Sequence, residues 1–293
     1  MPIKNPLAEV FGFPIDNISK EANRYRKNKL CPFNNKVPSC TKDRASDPLG
    51  VCSVFDKESI AITCPVRFRE DWLIAEDAAT FFFPKNSMWT SLTEVRLNDA
   101  NGQSAGNIDI VLVSYDKHGR ITDFGSLEIQ GVYISGNVRR PFERYISNPS
   151  ENIHFDWSNE RYYPRPDYLS SSRKRLAPQL IYKGGILKHW NKKMAVALDI
   201  SFFKTLPEMP EVDEKDADIA WVVYDLVYNQ NSNVFNLLKV NTIYTKFKNA
   251  LDIITMSSPG KVDDFVGVLQ NKLDDKLDNH PPDTHTLSDI LTI

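Results

Sequence analysis

The sequence predicts an α/β (α+β) protein built around a sheet, and two observations carry that prediction. Segments typical of helices and strands alternate along the chain in the order helix, strands, helix, strands and helices, which is the pattern of a sheet covered by helices. The chain also has 293 residues, 41% of them hydrophobic, so it can bury a large core. No internal repeat interrupts the pattern.

Residues 1–66 form the first predicted segment, which is loop-rich and short of apolar core. It contains seven of the 18 prolines and all four cysteines, which are separated by eight, eleven and eleven residues: Cys31, Cys40, Cys52 and Cys64. No pair forms a CxxC motif, so the spacing alone is weak evidence for a metal. Four thiols in such a segment nevertheless fit one tetrahedral metal site. The alternative is four unrelated buried thiols.

Residues 67–260 hold the elements expected to build the main sheet. We expect a helix at 71–79 and a second helix or a turn at 87–97, followed by strands in the apolar runs at 107–113 and 124–134. Runs rich in Val, Ile, Phe and Tyr at 194–203, 219–228 and 235–244 predict three further strands.

Helices are expected between and after those strands. A short one is predicted at 139–148, and the pattern at 168–191 indicates two helices or a bent one because Pro178 and the Gly184-Gly185 pair interrupt it. Residues 246–256 and 262–277 are also helical in pattern. Residues 261–293 form the third predicted segment, a C-terminal helix and an acidic tail whose last stretch, 278–293, is expected to be poorly ordered.

Two strands in the middle of the chain carry the most informative polar residues. Asp109 lies in the first apolar run, and Glu128, Ile129 and Gln130 lie in the second. Alternate residues of a strand share a face, so the side chains of Glu128 and Gln130 point the same way and can converge with Asp109. Two carboxylates at a strand pair suit Mg²⁺, which prefers oxygen ligands. The sequence therefore predicts a metal-dependent phosphodiester site, although Asp109 in a structural role is the alternative.

Charge is unevenly distributed along the chain. Residues 139–193 contain twelve Lys and Arg against five Asp and Glu, whereas residues 208–293 contain fifteen acids against seven bases. A basic middle suggests a face that binds an anion. Arginine can donate two hydrogen bonds to guanine, and aspartate can accept one from cytosine. This segment therefore suits a G·C-rich DNA site. The candidate DNA-binding residues are Arg161, Arg165, Asp167, Arg173, Arg175, Gln179 and Lys183. A solvated basic helix face is the alternative.

The acid-bearing hairpin resembles the core of the PD-(D/E)xK nucleases, with Gln130 where that pattern usually has lysine. Three further features sharpen the match: Glu94 upstream, the Glu-x-Gln ending and the four-cysteine segment. Together with the stretch at 175–185 they resemble the NotI/EagI family of type II restriction endonucleases. The resemblance covers roughly residues 31–245.

That resemblance implies a mixed central sheet flanked by helices and an active-site set of Glu94, Asp109, Glu128 and Gln130. Asp109 and Glu128 would hold catalytic Mg²⁺, helped by the backbone carbonyl of Ile129, and Glu94 would approach from its helix. Gln130 is neutral, so it would orient the attacking water, and the missing positive charge is expected to come from metal ions. The four cysteines would hold a structural iron, and zinc fits the same geometry.

The resemblance also implies the partners and the reaction. Family members cut both strands of a palindrome and leave 5′ phosphates, so we expect double-stranded DNA as substrate, a homodimer, and a cognate DNA methyltransferase that acts on the same site. With no apolar signal core or spanning segment in the sequence, we expect a cytoplasmic protein of a prokaryote with no membrane partner. The alternatives are another PD-(D/E)xK nuclease, such as a repair or mobile-element enzyme, and a non-catalytic DNA-binding protein of the same fold.

Overall fold

The computed structural model describes residues 5–257 and 259–279. The chain up to Thr255 forms one compact unit, and the chain from Met256 onward forms a second one that holds the last helix. Most of the tail that we expected to be poorly ordered lies outside the described residues, which end at Asn279. None of the described helices is long and apolar enough to cross a membrane.

The strands form three sheets. In chain order they are β1 (Leu7–Val10), β2 (Phe13–Pro14), β3 (Val51–Asp56), β4 (Ser59–Ile62), β5 (Trp89–Asn98), β6 (Ser104–Tyr115), β7 (Ile121–Gln130), β8 (Tyr133–Ser135), β9 (Arg165–Asp167), β10 (Met194–Asp199), β11 (Ile219–Asn229) and β12 (Val234–Thr245). The main sheet has the order β12-β11-β10-β7-β6-β5. It is mixed, because β10 runs parallel to both of its neighbours while the other pairs are antiparallel.

The helices of the first unit are α1 (Lys20–Lys27), α2 (Leu73–Phe82), α3 (Arg139–Ser147), α4 (Pro149–Asn152), α5 (residues 168–189), α6 (Ile200–Phe203) and α7 (Phe247–Thr255), with 3₁₀ turns at Pro65–Trp72 and Glu214–Asp216. The second unit contains α8 (Val262–Asn279). A mixed sheet with helices packed against it confirms the predicted α+β class.

The two faces of the main sheet pack against different helices. On β7, Leu127 and Ile129 belong to the same core as α2, whereas the alternate residues Glu128 and Gln130 point to the opposite face. On β10, Val196 and Leu198 pack in the core that includes α5. The face of the sheet that carries Glu128 is therefore the face covered by α5.

The N-terminal segment has more structure than the sequence indicated. Strands β1 to β4 form a four-stranded sheet in the order β2-β1-β3-β4, and buried residues of that sheet such as Leu7 and Val54 share a core with β10 and α5. The apolar residues of the segment are buried against elements more than 100 residues away in the sequence, in a core shared with the main sheet.

Two other elements differ from expectation. Residues 89–98 form the edge strand β5 rather than a helix or a turn, since they pair with β6 along their whole length. Residues 168–189 are helical throughout, with wider π-helical turns at Ser172–Leu176 and Leu180–Gly184. The two π turns lie on either side of Pro178, and the second one ends at Gly184. The helix therefore continues through the positions where we expected it to bend or to divide in two.

Candidate active site

Asp109 and Glu128 face each other across the hairpin formed by β6 and β7. Ile110 pairs with Leu127, and this antiparallel register places Asp109 directly across from Glu128 on the face covered by α5. The two carboxyl groups are close enough to interact, since the charge of Asp109 adds to burial in raising the pKa of Glu128. The predicted convergence of these two residues is therefore present in the structure.

Glu128 lies in a buried, negatively charged environment. It is fully buried, and burial raises its pKa to about 8, with Asp109 adding to the shift and the ammonium group of Lys183 opposing it. One oxygen, Oε2, accepts a hydrogen bond from Lys183 Nζ at 2.8 Å. The other, Oε1, is buried and has no hydrogen-bond partner within the described part of the chain.

The two carboxyl groups fit a hard divalent cation. An unpartnered buried carboxylate oxygen beside a second carboxylate is costly unless a cation or a proton compensates it. Asp109 is held in place because its Oδ2 accepts the backbone N–H of Ile129 at 2.9 Å. Across residues 5–257 and 259–279, no three His, Cys, Asp or Glu side chains are arranged to hold a metal ion, so water would complete the coordination of a cation held by this pair.

Gln130 is also buried, and its amide has a partner on the helix above the sheet. Its Nε2 donates a hydrogen bond to Oε1 of Gln179 in α5. This contact fixes the orientation of the Gln130 amide, which carries no charge at any pH.

One side of α5 makes three successive contacts with β7 and with Tyr133 of β8. Arg175, Gln179 and Lys183 are spaced four residues apart and therefore share a helix face. The Arg175 guanidinium lies 5.3 Å from the ring centroid of Tyr133, Gln179 binds Gln130 and Lys183 binds Glu128. The four-residue spacing was visible in the sequence and was the signal that could have placed Lys183 in the site.

The stem of Lys183 passes close over Gly106 of β6 on its way to Glu128. A Cβ atom at Gly106 would lie 3.3 Å from Cε of Lys183, and Gly106 has a φ of +107°, which favours glycine. Lys183 was one of the candidate DNA-binding residues, but the structure places it 6% exposed and ion-paired with Glu128.

Glu94 is adjacent to the pair in register but not in contact with it. The β5 and β6 register, with Thr93 paired to Ile110, places Glu94 across from Asp109. Glu94 has a φ of +56°, and its carboxylate is 63% exposed and lies 3.6 Å from Lys36 Nζ. The expectation that Glu94 approaches from a helix was wrong, because it lies in the edge strand.

The other candidate DNA-binding residues lie around α5. Four arginines are exposed: Arg161, Arg165, Arg173 and Arg175. Asp167 instead caps the N-terminus of α5 by accepting the backbone N–H of Ser170 at 2.9 Å, and this hydrogen bond lowers its pKa.

The four cysteines are unpaired and lie close together. Cys64 donates its backbone N–H to the Cys52 carbonyl at 3.1 Å, while backbone bonds from Cys31 to Pro38 and from Cys40 to Lys29 hold the other two. Burial raises the pKa of Cys31 to about 11, and the nearby thiols Cys64 and Cys40 add to that shift. Because no three side chains in the described ranges converge as metal ligands, the thiols would have to reorient to bind one ion.

A family model described as "Restriction endonuclease NotI" matches residues 9–237. The chain belongs to the NotI restriction endonuclease family. The match includes all four cysteines, both carboxylates and α5, and it ends before α7. No curated protein matches the chain.

Membership of the NotI family confirms the resemblance that we inferred from the sequence and establishes the activity. The chain is a site-specific deoxyribonuclease, a restriction endonuclease that binds and cleaves DNA. This finding favours the restriction enzyme over the two alternatives considered above, a repair or mobile-element nuclease and a non-catalytic DNA-binding protein.

Proposed function

We propose that this NotI-family endonuclease cleaves DNA by Mg²⁺-dependent hydrolysis at Asp109 and Glu128. The observation that carries the proposal is the position of these two carboxyl groups across β6 and β7, with Oε1 of Glu128 buried and unpartnered within the described residues. A bound Mg²⁺ supplies an activated water and stabilises the leaving oxygen. The packing of α5 on the sheet would exclude water from one side of the site. The electrostatic interactions between the protein, the ion and the phosphate would be stronger there than in water.

The remaining residues of the site would act through position and hydrogen bonding. Gln130, held by Gln179, would orient the attacking water or a phosphate oxygen through its amide. The Ile129 carbonyl would add a third protein ligand beside the two carboxylates. Glu94 would add a further ligand, direct or through water, after it releases Lys36, because the register already places it across from Asp109.

Exposed arginines in the segment that precedes and begins α5 support a G·C-rich recognition sequence. Arg161, Arg165 and Arg173 lie on the surface and can form two hydrogen bonds with guanine. Asp167 uses Oδ1 for its capping hydrogen bond, and its other oxygen, Oδ2, could accept from cytosine. A palindromic target would be cut by a homodimer, leaving 5′ phosphates, and a cognate methyltransferase would protect the same sequence.

The four-cysteine cluster is proposed as a structural metal site for iron, with zinc as the alternative. The support is four free cysteines whose thiols are near enough to raise one another's pKa, in a region where burial opposes thiolate formation. A metal cation would overcome that opposition. Elemental analysis of the purified protein tests this: we expect about one equivalent of iron plus zinc, and the Cys52→Ser variant should lose most of it. A metal-free, folded wild-type protein would contradict the proposal.

The catalytic proposal is tested by digestion of plasmids rich in G·C palindromes, with and without Mg²⁺. We expect discrete fragments with Mg²⁺ only, and no cleavage by the Asp109→Asn variant. Asp123→Asn is the matched control, because Asp123 lies on the same hairpin, is 44% exposed and pairs with Lys192 away from the site. If Asp109→Asn cuts as well as the control, the proposed site is wrong.

A further inference from the structure

We propose that Lys183 is the catalytic cation of this enzyme, and that it contacts the scissile phosphate from helix α5 while Glu128 and Asp109 hold Mg²⁺. This inference rests on the proposed function. Lys183 was predicted only as one of several DNA-binding residues, and the structure places it beside Glu128.

The need for a cation follows from the charges of the site. Asp109 and Glu128 bring two carboxyl groups to a phosphodiester that is itself negative and becomes more so during attack. The residue two positions after Glu128 is the neutral Gln130, whose amide is engaged by Gln179. Within residues 5–257 and 259–279, Lys183 is the cationic side chain within ion-pair distance of either carboxylate, at 2.8 Å from Glu128 Oε2.

The position of Lys183 is determined by the packing on both sides of its helical turn. Beneath the side chain, Gly106 leaves the space through which Cε passes. Next to it in α5, a Cβ at Gly184 would lie 2.7 Å from the ring of Phe247, so α5 lies close against α7 at this turn. The π-helical turn Leu180–Gly184 contains Lys183 itself, and such turns often occur at functional sites.

The hydrogen bonding of Lys183 leaves capacity for a ligand. An ammonium group has three N–H donors, and the described residues provide one acceptor, Glu128 Oε2. Two donors therefore remain for a phosphate oxygen while the contact with Glu128 is kept. A purely structural function explains the pair less well, since buried ion pairs contribute little net stability after the cost of desolvation.

In the proposed step Lys183 stays protonated throughout. A water molecule loses a proton to solvent and forms a bond to phosphorus, the bond between phosphorus and O3′ breaks, and the 3′ oxygen takes up a proton from solvent. The products are a 5′ phosphate and a 3′ hydroxyl group. The ammonium of Lys183 stabilises the negative charge on a non-bridging phosphate oxygen during this exchange.

The test compares Lys183→Met and Lys183→Arg with Lys188→Met, a control on the same helix whose lysine is 45% exposed and pairs with Asp218. Single-turnover cleavage is measured at saturating Mg²⁺ on a DNA that the wild type cuts. Binding of Ca²⁺ to the DNA-free protein is measured by calorimetry. Methionine at position 183 keeps an unbranched apolar side chain over Gly106 and removes the charge. Thermal melting of each variant confirms that it is folded.

We expect Lys183→Met to lower the cleavage rate by about 100-fold or more, as for loss of one preorganised charge in an active site. Lys183→Arg should retain more activity than Lys183→Met, and Lys188→Met should cleave at the wild-type rate. Lys183→Met should bind Ca²⁺ as tightly as the wild type or more tightly. Adding Gln130→Lys to Lys183→Met should recover at least about a tenth of the lost rate enhancement, because it returns a cation to the site.

Two results would overturn the inference while leaving the proposed function intact. One is cleavage by Lys183→Met within about threefold of the wild type, which is too small a change for a preorganised catalytic charge. The other is a fall in Ca²⁺ affinity that matches the fall in rate, since this indicates that Lys183 only maintains the metal site. Failure of the wild type to cut any DNA with Mg²⁺ would overturn the proposed function as well.

Discussion

Asp109 and Glu128 lie across from each other on antiparallel strands, and the charge of Asp109 adds to burial in raising the pKa of Glu128 to about 8. Below pH 8 a proton therefore competes with a metal ion for Glu128, although Lys183 favours the charged form of its carboxyl group. A cation that binds both carboxylates must displace that proton, so metal binding is coupled to pH.

The first prediction concerns that coupling. The Ca²⁺ affinity of the DNA-free protein should rise about tenfold per pH unit from pH 6 to 7.5, because one proton is released per ion, and should level off above about pH 8.5. Calorimetry across this range measures it. The Asp123→Asn control should show the same profile, and Glu128→Gln should bind Ca²⁺ weakly at every pH. A wild-type affinity that is flat from pH 6 to 8 would contradict the raised pKa.

The second prediction separates backbone strain from contact with Lys183. Gly106 and Gly102 both have positive φ values, +107° and +76°, but only the Cβ added at Gly106 meets Lys183, since nothing lies within 4 Å of the one added at Gly102. Each Gly→Ala change should cost about 1–2 kcal/mol of stability through strain. Gly106→Ala should in addition lower the rate of DNA cleavage by displacing Lys183.

Urea unfolding and single-turnover cleavage of the two glycine variants provide the comparison. We expect similar losses of unfolding free energy, and a cleavage rate at least about tenfold lower for Gly106→Ala than for Gly102→Ala, which corresponds to about 1.4 kcal/mol of lost transition-state stabilisation. Equal rates would show that the stem of Lys183 tolerates the added methyl group.

The third prediction concerns the position of Glu94. In the structure its carboxylate is exposed and pairs with Lys36, although the register places it across from Asp109. If Glu94 turns toward the metal during catalysis, Glu94→Gln should lower the cleavage rate by about tenfold or more, as expected when a charged group is lost from an active site. Lys36→Met should leave the rate unchanged or raise it, because it only releases Glu94. Wild-type rates in both variants would remove Glu94 from the active-site set.

The fourth prediction concerns the contact between the N-terminal sheet and the main sheet. Arg67 and Glu9 are both fully buried, with Nε and Oε1 3.0 Å apart, and Arg67 also binds Glu70 and the Phe235 carbonyl. Arg67→Met leaves the Glu9 charge without compensation and should cost about 3–5 kcal/mol of unfolding free energy. Urea denaturation measures this loss.

Two further variants control the Arg67 result. The double variant Arg67→Met with Glu9→Gln should recover part of the loss, since it removes the uncompensated charge. Arg139→Met should cost no more than about 1 kcal/mol, because Arg139 pairs with Asp43 and Asp47 near the surface. Equal losses for Arg67→Met and Arg139→Met would refute the importance of the buried pair.

Local patterns in the sequence were sufficient to predict the hairpin of β6 and β7 and the shared face of its polar residues. Alternation of apolar and polar residues with a period of two defines a strand wherever it occurs, so Asp109, Glu128 and Gln130 were assigned to strands and to a shared face without knowledge of the fold. The family was also recognisable from these residues together with Glu94 and the four cysteines. The family match over residues 9–237 confirms that resemblance.

Elements that depend on distant partners could not be predicted in the same way. The strand β5 was interpreted as a helix or a turn because its pairing with β6, rather than its own composition, makes it a strand. The N-terminal sheet was missed for the same reason, since β1 pairs with β3 across about 40 residues of intervening chain.

The sequence by itself determined the α+β class, the family and the two facing carboxylates, because each follows from residue type and short-range periodicity. Only the tertiary structure decided which cationic side chain contacts these carboxylates. Lys183 is 55 residues from Glu128 in the chain, and its contact at 2.8 Å exists because α5 packs over β7 and because Gly106 leaves room for its stem. The charge missing at Gln130, which we expected metal ions alone to supply, has a protein source that only the packing of α5 on the sheet made visible.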